Sequence, residues 1–128
     1  KVKNNHLDFL FASRYEKPNG GSDDDNFITL IGNFFFTNIG NLFFSLNISD
    51  ILFTYVLGKK ETFKNLKITS EDFTFCVELP IKAKRQQAKY QTMPSYERNR
   101  IGGLKKVNAL KDGLLILFKM VKMFFIRW

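Results

Sequence analysis

Residues 27–49, FITLIGNFFFTNIGNLFFSLNIS, decide the fold, because this stretch of 23 residues carries no charged side chain. Its length raises the question of a transmembrane helix. Its four asparagines and two glycines argue against one, since polar side chains are costly in hydrocarbon. The stretch also repeats itself, because IGNFFF at residues 31–36 recurs as IGNLFF at residues 39–44. Each Gly-Asn pair predicts a turn and each aromatic run a strand, which favours a β meander over a membrane span.

Three further segments continue the β pattern. Residues 51–57, ILFTYVL, are rich in β-branched and aromatic side chains, and residues 62–69 and 73–79 approach a period of two. Pro80 then prevents further pairing within a sheet. Residues 1–81 are therefore predicted to form a mainly β core, either a small sandwich or a partly open barrel or meander. A small sheet covered by C-terminal helices is the nearest alternative.

The net charge of +8 is unevenly distributed. Residues 1–81 contain eight basic and ten acidic side chains, whereas residues 82–128 contain twelve basic and two acidic ones. Such asymmetry is typical of a protein with an anionic partner, such as RNA or lipid headgroups. We therefore expect the functional site in the C-terminal third of the chain.

This C-terminal third divides into two segments. Residues 82–103 are polar and basic, contain Pro94 and end in two glycines, which predicts an extended basic arm. Residues 104–128 carry apolar side chains at steps of three and four, which predicts an apolar and basic helix packed on the core, a partner or a membrane surface. The alternative for this last segment is a hairpin that turns at Asp112-Gly113.

The basic arm is the first candidate site. Lysine and arginine neutralise phosphates, and tyrosine can stack on unpaired bases. The predicted RNA-binding residues are Lys82, Lys84, Arg85, Lys89, Tyr90, Tyr96, Arg98, Arg100, Lys105 and Lys106. A solvated loop without a dedicated partner is the alternative interpretation.

The end of the chain is the second candidate site. It combines bulky apolar side chains with lysines and a tryptophan, as does a helix that lies in a membrane interface. The predicted membrane or partner contacts are Phe118, Lys119, Lys122, Phe124, Phe125 and Trp128. The alternative is a helix that closes the β core or docks on a neighbouring protein.

The sequence shows no catalytic or metal-binding constellation. His6 and Cys76 are the single residues of their type, so neither a histidine cluster nor a disulfide framework can form within the chain. Asp23, Asp24 and Asp25 lack the ligand spacing of a calcium loop. We therefore expect a protein that is not an enzyme, without cofactor, metal or small-molecule substrate.

The amino-acid composition indicates a genomic bias. Phe, Lys, Asn, Ile and Tyr supply 55 of the 128 residues, and their codons are rich in A and U, which suggests an organellar, in particular mitochondrial, origin. The first functional hypothesis is a structural subunit of a large assembly, a ribosomal or other RNA-binding protein whose partners are RNA and neighbouring proteins. The second is an accessory subunit of a membrane-embedded complex, such as a respiratory complex, that uses its C-terminal helix at the lipid interface. A small β-sandwich recognition domain is the third.

Overall fold

A computed structural model of the chain describes residues 6–23, 26–98 and 109–126. Its elements in chain order are β1 (Phe9–Ser13), β2 (Gly21–Ser22), α1 (Phe27–Phe44), β3 (Val56–Gly58), α2 (Lys60–Asn65), α3 (Phe75–Arg85), β4 (Tyr90–Pro94), β5 (Tyr96–Glu97) and α4 (Ala109–Phe125).

The prediction of a mainly β sandwich or barrel is wrong. The described part of the chain is 47% helical with 16% strand, and its two sheets contain three and two strands. Of the predicted strands, residues 27–49 mostly form α1, residues 62–69 overlap α2 and residues 73–79 begin α3. The predicted C-terminal helix is confirmed as α4.

The Gly-Asn repeats of α1 are part of a helix because tertiary contacts use their side chains. Asn26 caps the helix, since its Oδ1 accepts a hydrogen bond from the backbone N–H of Thr29 at 2.8 Å. Asn33 and Asn41 lie just over two helical turns apart, and both bind the segment that follows α1. Gly40 allows a close approach, because a Cβ atom there would lie 2.9 Å from Leu46.

The strand predicted for residues 73–79 from the alternation of Phe73, Phe75, Val77 and Leu79 is wrong, because residues 75–79 begin helix α3, which is buried on nearly every side. All eight residues from Cys76 to Ala83 are buried, including Pro80 inside the helix. A short apolar run that is fully buried has no helical periodicity, so its pattern also fits a strand.

Strand β1 is the centre of the three-stranded sheet. It pairs antiparallel with β3 and parallel with β4, with Phe9 opposite both Gly58 and Tyr90. All five residues of β1 are buried, so both faces of the strand are covered. On one face, Phe9 and Phe11 pack with residues of α3.

The main core lies between α1, α3 and α4. Helix α4 contributes Ile116, Met120 and Met123, which are almost fully buried against residues of α1 and α3. The segment predicted to be a basic arm, residues 82–103, begins as the last turn of α3 and continues into β4 and β5. Its last residues, 99–103, lie outside the described part of the chain.

Candidate membrane-binding surface

Helix α1 turns three polar side chains, those of Asn33, Thr37 and Asn41, toward the protein, whereas Asn38 is exposed on the outer side and bonds to the backbone of Phe34. The Oδ1 atom of Asn33 accepts a hydrogen bond from the backbone N–H of Leu52 at 3.0 Å, and the Oγ1 atom of Thr37 accepts one from Ile51 at 3.1 Å. Asn41 both donates to and accepts from the backbone of Ile48, at 2.8 and 3.0 Å. These bonds attach α1 to residues 48–52 at three points along its length.

The opposite face of α1 is apolar and exposed. Phe27, Phe34 and Leu42, spaced by seven and eight residues, are 74%, 71% and 76% exposed. No charged residue occurs in the helix. A surface helix of a soluble protein buries its apolar side and exposes its polar one. Helix α1 buries a mixed side, with Asn33 and Thr37 beside Phe36, and exposes a side that is apolar except for Asn38, so its exposed face is suited to a non-aqueous environment.

Helix α4 presents a second exposed apolar stripe. Leu110, Leu114, Phe118, Val121 and Phe125 recur at steps of three and four and are all exposed. Two lysines, at positions 111 and 122, are exposed beside this stripe. The helix therefore carries an apolar band with basic side chains along one margin, as an interfacial helix does.

Aromatic contacts join the two apolar faces. The ring of Phe124 lies 5.6 Å from that of Phe43 and 6.1 Å from that of Phe44, measured between ring centroids. Between the helices lies a cavity of about 280 Å³ that is lined by aliphatic, aromatic and methionine side chains of α1 and α4. The faces of α1 and α4 therefore form one surface, which we call the α1–α4 face.

The α1–α4 face is far larger than the apolar patches of ordinary soluble proteins. Twenty large hydrophobic residues are exposed in the described part of the chain, and sixteen of them lie in α1, in α4 or directly after α4. At about half of roughly 150–250 Å² each, the seven phenylalanines among them alone expose on the order of 700 Å², to which nine aliphatic side chains add. The largest patch on a typical soluble monomer is about 300–600 Å².

A buried carboxylate anchors α4 to the rest of the protein. Glu78 in α3 is fully buried, and its oxygens lie 2.7 Å from Nζ of Lys82 and 3.4 Å from Nζ of Lys119. The backbone N–H groups of Thr69 and Ser70 donate to the same carboxylate at 2.8 and 2.7 Å. Burial alone would raise the pKa of Glu78, but the ammonium of Lys82 and these hydrogen bonds together hold it well below its ordinary value.

A second cluster of ion pairs joins the segment that precedes α1 in the chain to the segment that follows it. The guanidinium of Arg14, which follows β1, binds the fully buried Asp50 at 2.8 and 2.9 Å and Glu97 of β5 at 2.9 Å. Burial alone would lower the pKa of Arg14, whereas the two carboxylates raise it above its ordinary value. The cluster connects the segment after α1 to the carboxyl end of the sheet and so orients the helix.

The structure turns two of the predicted RNA-binding residues inward. Lys82 is 4% exposed, and besides its contact with Glu78 its Nζ donates to the backbone oxygen of Lys67 at 2.7 Å. The guanidinium of Arg85 lies 5.7 Å from the ring centre of Phe44 and donates to the backbone oxygen of Met123. Arg85 therefore joins α3 to α1 and α4, and Lys82 ties α3 to the segment that follows α2.

The other residues predicted to bind RNA are distributed over several elements. Tyr90 is half-buried in β4 and its hydroxyl donates to the backbone oxygen of Leu46 at 2.6 Å; burial raises its pKa. Tyr96 is exposed in β5, and its hydroxyl donates to the carboxylate of Asp23. Exposed side chains are found at Lys84, Lys89 and Arg98, whereas Arg100, Lys105 and Lys106 lie outside the described residues.

Most of the predicted membrane-contact residues lie on the α1–α4 face. Phe118, Phe124 and Phe125 are exposed there, and Lys122 is exposed beside them. Lys119 instead points toward Glu78. Trp128 lies outside the described residues.

The sequence interpretation missed the contribution of α1. The signal was the recurrence of Phe27, Phe34 and Leu42 at helical spacing in a segment without charge. No sequence signal identifies the partners of Glu78 or Arg14, because their contacts depend on the fold. Cys76 is buried, as the sequence predicted, and burial raises the pKa of its thiol.

By length and composition, α1 is the one described helix that could cross a membrane, and 22% of it is buried inside the protein. Within the described ranges no group of three or more His, Cys, Asp or Glu side chains could hold a metal ion. Comparisons with protein-family models, curated proteins and solved structures find no match to this chain.

Proposed function

We propose that the chain binds the surface of a lipid bilayer and lies in its interface through the α1–α4 face. The observation that carries this proposal is the arrangement of α1, in which Asn33, Thr37 and Asn41 bind the protein while four of its six phenylalanines, Phe27, Phe34, Phe35 and Phe43, are exposed on the other side. A buried polar side requires internal hydrogen bonds, and α1 has them. Its apolar side has no cover within the described chain and exposes more apolar area than water-soluble surfaces carry.

The contacts of α1 support a helix that lies on the membrane rather than one that crosses it. Eighteen residues at about 1.5 Å each give roughly 27 Å, close to the hydrocarbon thickness of about 30 Å. A crossing helix must present apolar side chains to lipid around its circumference. Asn33, Thr37 and Asn41 instead bind residues 48–52, so lipid can contact only the outer side of α1.

The lysines of α4 fit the same orientation. An interfacial helix buries its apolar band by about 5–10 Å, and lysines at the margin of the band reach the headgroups. Lys111 and Lys122 occupy this margin. The proposal extends the membrane hypothesis drawn from the sequence to a second helix. RNA binding stays a prediction, with no structural contact that favours it over membrane binding.

Flotation of the full chain with neutral phosphatidylcholine liposomes tests the proposal. The variants Phe34→Glu and Phe118→Glu place a charge at positions 71% and 70% exposed on the two helices. Each phenylalanine loses about 1–2 kcal/mol of apolar transfer, so partitioning should fall about 5- to 30-fold in each variant. Leu57→Glu is the matched control, because Leu57 is 60% exposed but lies on the edge strand β3.

Two results would contradict the proposal. The wild-type chain remains unbound at saturating lipid, or the three variants bind liposomes as well as it does. Light scattering provides a further criterion, since self-association that is abolished by Phe34→Glu in the absence of lipid binding would identify a second copy of the chain as the occupant of the face.

A further inference from the structure

An open polar cavity of about 530 Å³ lies where the chain leaves α1 and where it passes from α3 into β4. Its polar lining consists of Asn47, Lys84, Gln87, Lys89, Tyr90 and Gln91. The aspartates and glutamates of the described chain are absent from the lining, so the cavity has a net positive charge. It therefore suits an anionic ligand and not a metal ion.

The two lysines of this cavity are available for a ligand. Lys84 and Lys89 are exposed, and neither ammonium has a hydrogen-bond or ion-pair partner among the described residues. The nearby carboxylate of Asp8 is engaged by Nζ of Lys59 at 3.1 Å and by the backbone N–H of Lys89 at 2.9 Å. Unlike the neighbouring Lys82 and Arg85, these lysines do not hold the fold together.

The backbone around the cavity is held in an uncommon conformation. Asn47 and Gln87 have φ angles of 55° and 57°, in the left-handed region. Gln87 directly follows the C-cap of α3, where the backbone N–H of Ala88 donates to the oxygen of Ala83 at 2.9 Å, an arrangement that commonly ends helices. Asparagine adopts the left-handed region more readily than most residues. Both residues lie in the cavity wall, on two separate segments of the chain.

The position of the cavity indicates which anion it meets. Leu46 and Asn47 follow Ser45, which caps the C-terminus of α1. Arg85, adjacent to Lys84, packs over Phe44 and binds the backbone of α4. The cavity thus adjoins the C-terminal end of α1 and the contact of α3 with α4, where the α1–α4 face ends.

We infer that this cavity binds the phosphate of an anionic phospholipid headgroup through Lys84 and Lys89. The inference rests on the proposed membrane binding, since the bilayer presents the headgroup to the cavity. The structure favours lipid over RNA because Tyr90, the aromatic residue of the cavity, packs edge-on against Phe11 with centroids 5.4 Å apart and has its hydroxyl bound to Leu46. Its ring is therefore not free to stack on a base.

The test compares two double variants of equal charge in flotation assays. Lys84→Gln/Lys89→Gln removes the cavity lysines, whereas Lys60→Gln/Lys64→Gln removes two exposed lysines of α2. The liposomes contain phosphatidylcholine alone or with 30% phosphatidylglycerol. We expect the wild type to bind the anionic liposomes more tightly, and the cavity variant to lose about fivefold in affinity for each lysine. The α2 variant should keep most of the preference, and binding to neutral liposomes should be the same in all three proteins.

Every other outcome contradicts the inference, and each one indicates a different explanation for the measured binding. Equal losses in the two double variants would mean that net charge acts without a site, with the proposed membrane binding intact. Failure of the wild type to bind either liposome would refute membrane binding and the headgroup site together. A thermal shift with inorganic phosphate that depends on Lys84 and Lys89, without lipid preference, would identify a free phosphate as the ligand. Binding of single-stranded RNA that depends on the same lysines, without lipid preference, would restore the RNA hypothesis.

Discussion

Replacement of Glu78 by glutamine tests the buried ion cluster that positions α4. The carboxylate has no exposure to solvent and receives hydrogen bonds from Thr69, Ser70 and Lys82, while Lys119 lies 3.4 Å away. The substitution preserves the shape of the side chain but removes its negative charge. It also directs an amide NH₂ group toward donors, so at least one buried donor loses its partner.

The expected loss of stability follows from the charge that remains. Lys82 is 4% exposed and would stay in the protein interior without its counter-ion. Removal of one partner from a buried ion pair costs about 3–5 kcal/mol, a large part of the 5–15 kcal/mol that usually separates folded from unfolded protein. With a urea m-value near 1.5 kcal/mol/M, the unfolding midpoint should fall by about 2–3 M.

The assay is urea unfolding followed by circular dichroism in detergent micelles, which cover the α1–α4 face. Glu61→Gln is the control, because the Glu61 side chain is 79% exposed and lies 3.7 Å from Lys64. An exposed pair of this kind contributes at most about 1 kcal/mol. The control should therefore unfold close to the wild-type midpoint.

The pH dependence provides an independent measurement on the same proteins. The folded-state pKa of Glu78 lies below its ordinary value of 4.5, so its carboxylate stabilises the folded state above that pH. This stability is lost as the pH falls below 4.5 toward the folded-state pKa. Glu78→Gln should therefore show a weaker acid destabilisation than the wild type below pH 4.5.

The reasoning is refuted if Glu78→Gln unfolds within 1 kcal/mol of the wild type at pH 7. That result would mean that Lys82 reaches solvent or another acceptor when the carboxylate is absent. The double variant Glu78→Gln/Lys82→Met separates the causes, because it removes the unpaired charge and should recover part of the loss. Failure to recover would assign the loss to the hydrogen bonds of Thr69 and Ser70.

Two further predictions concern α1 and the core. Gly32→Ala should stabilise the protein by about 0.5–1 kcal/mol, since a Cβ atom there meets open space and alanine favours a helix. Gly40→Val should destabilise it by about 1–3 kcal/mol, because a Cβ atom at this position already lies about 3 Å from Leu46 and Ile51. Urea unfolding distinguishes these signs, and equal effects at the two glycines would contradict the packing of α1. Cys76 should resist thiol reagents at pH 8 in the folded protein and react on unfolding, because burial raises the pKa of its thiol. Rapid labelling of Cys76 under native conditions would contradict this prediction, because it would mean that the reagent reaches the core of the folded protein.

The helix at the end of the chain was predictable from the sequence, whereas the mainly β architecture predicted for residues 1–81 is wrong. Helix α4 was predictable because one of its sides is buried and the other is not, so its apolar residues recur at helical steps. Helix α3 has no such contrast, since Cys76–Ala83 are all buried. The short strands β1 and β4 pair across some eighty residues of sequence, and no local pattern specifies that register.

The asparagines of α1 explain why both the fold and the surface escaped prediction. As Gly-Asn pairs they predict turns. As amides they argue against a membrane helix, because an amide in hydrocarbon needs a hydrogen-bond partner. Asn33 and Asn41 find partners in residues 48–52, and Asn38 donates to the backbone oxygen of Phe34 at 2.7 Å. The amides thus exclude a helix surrounded by lipid, but they do not exclude one that meets lipid on a single side. Asn33 and Asn41, which oppose a crossing orientation, fix α1 to the protein, and the apolar side chains on its other side, Phe27, Phe34 and Leu42 among them, are thereby left exposed.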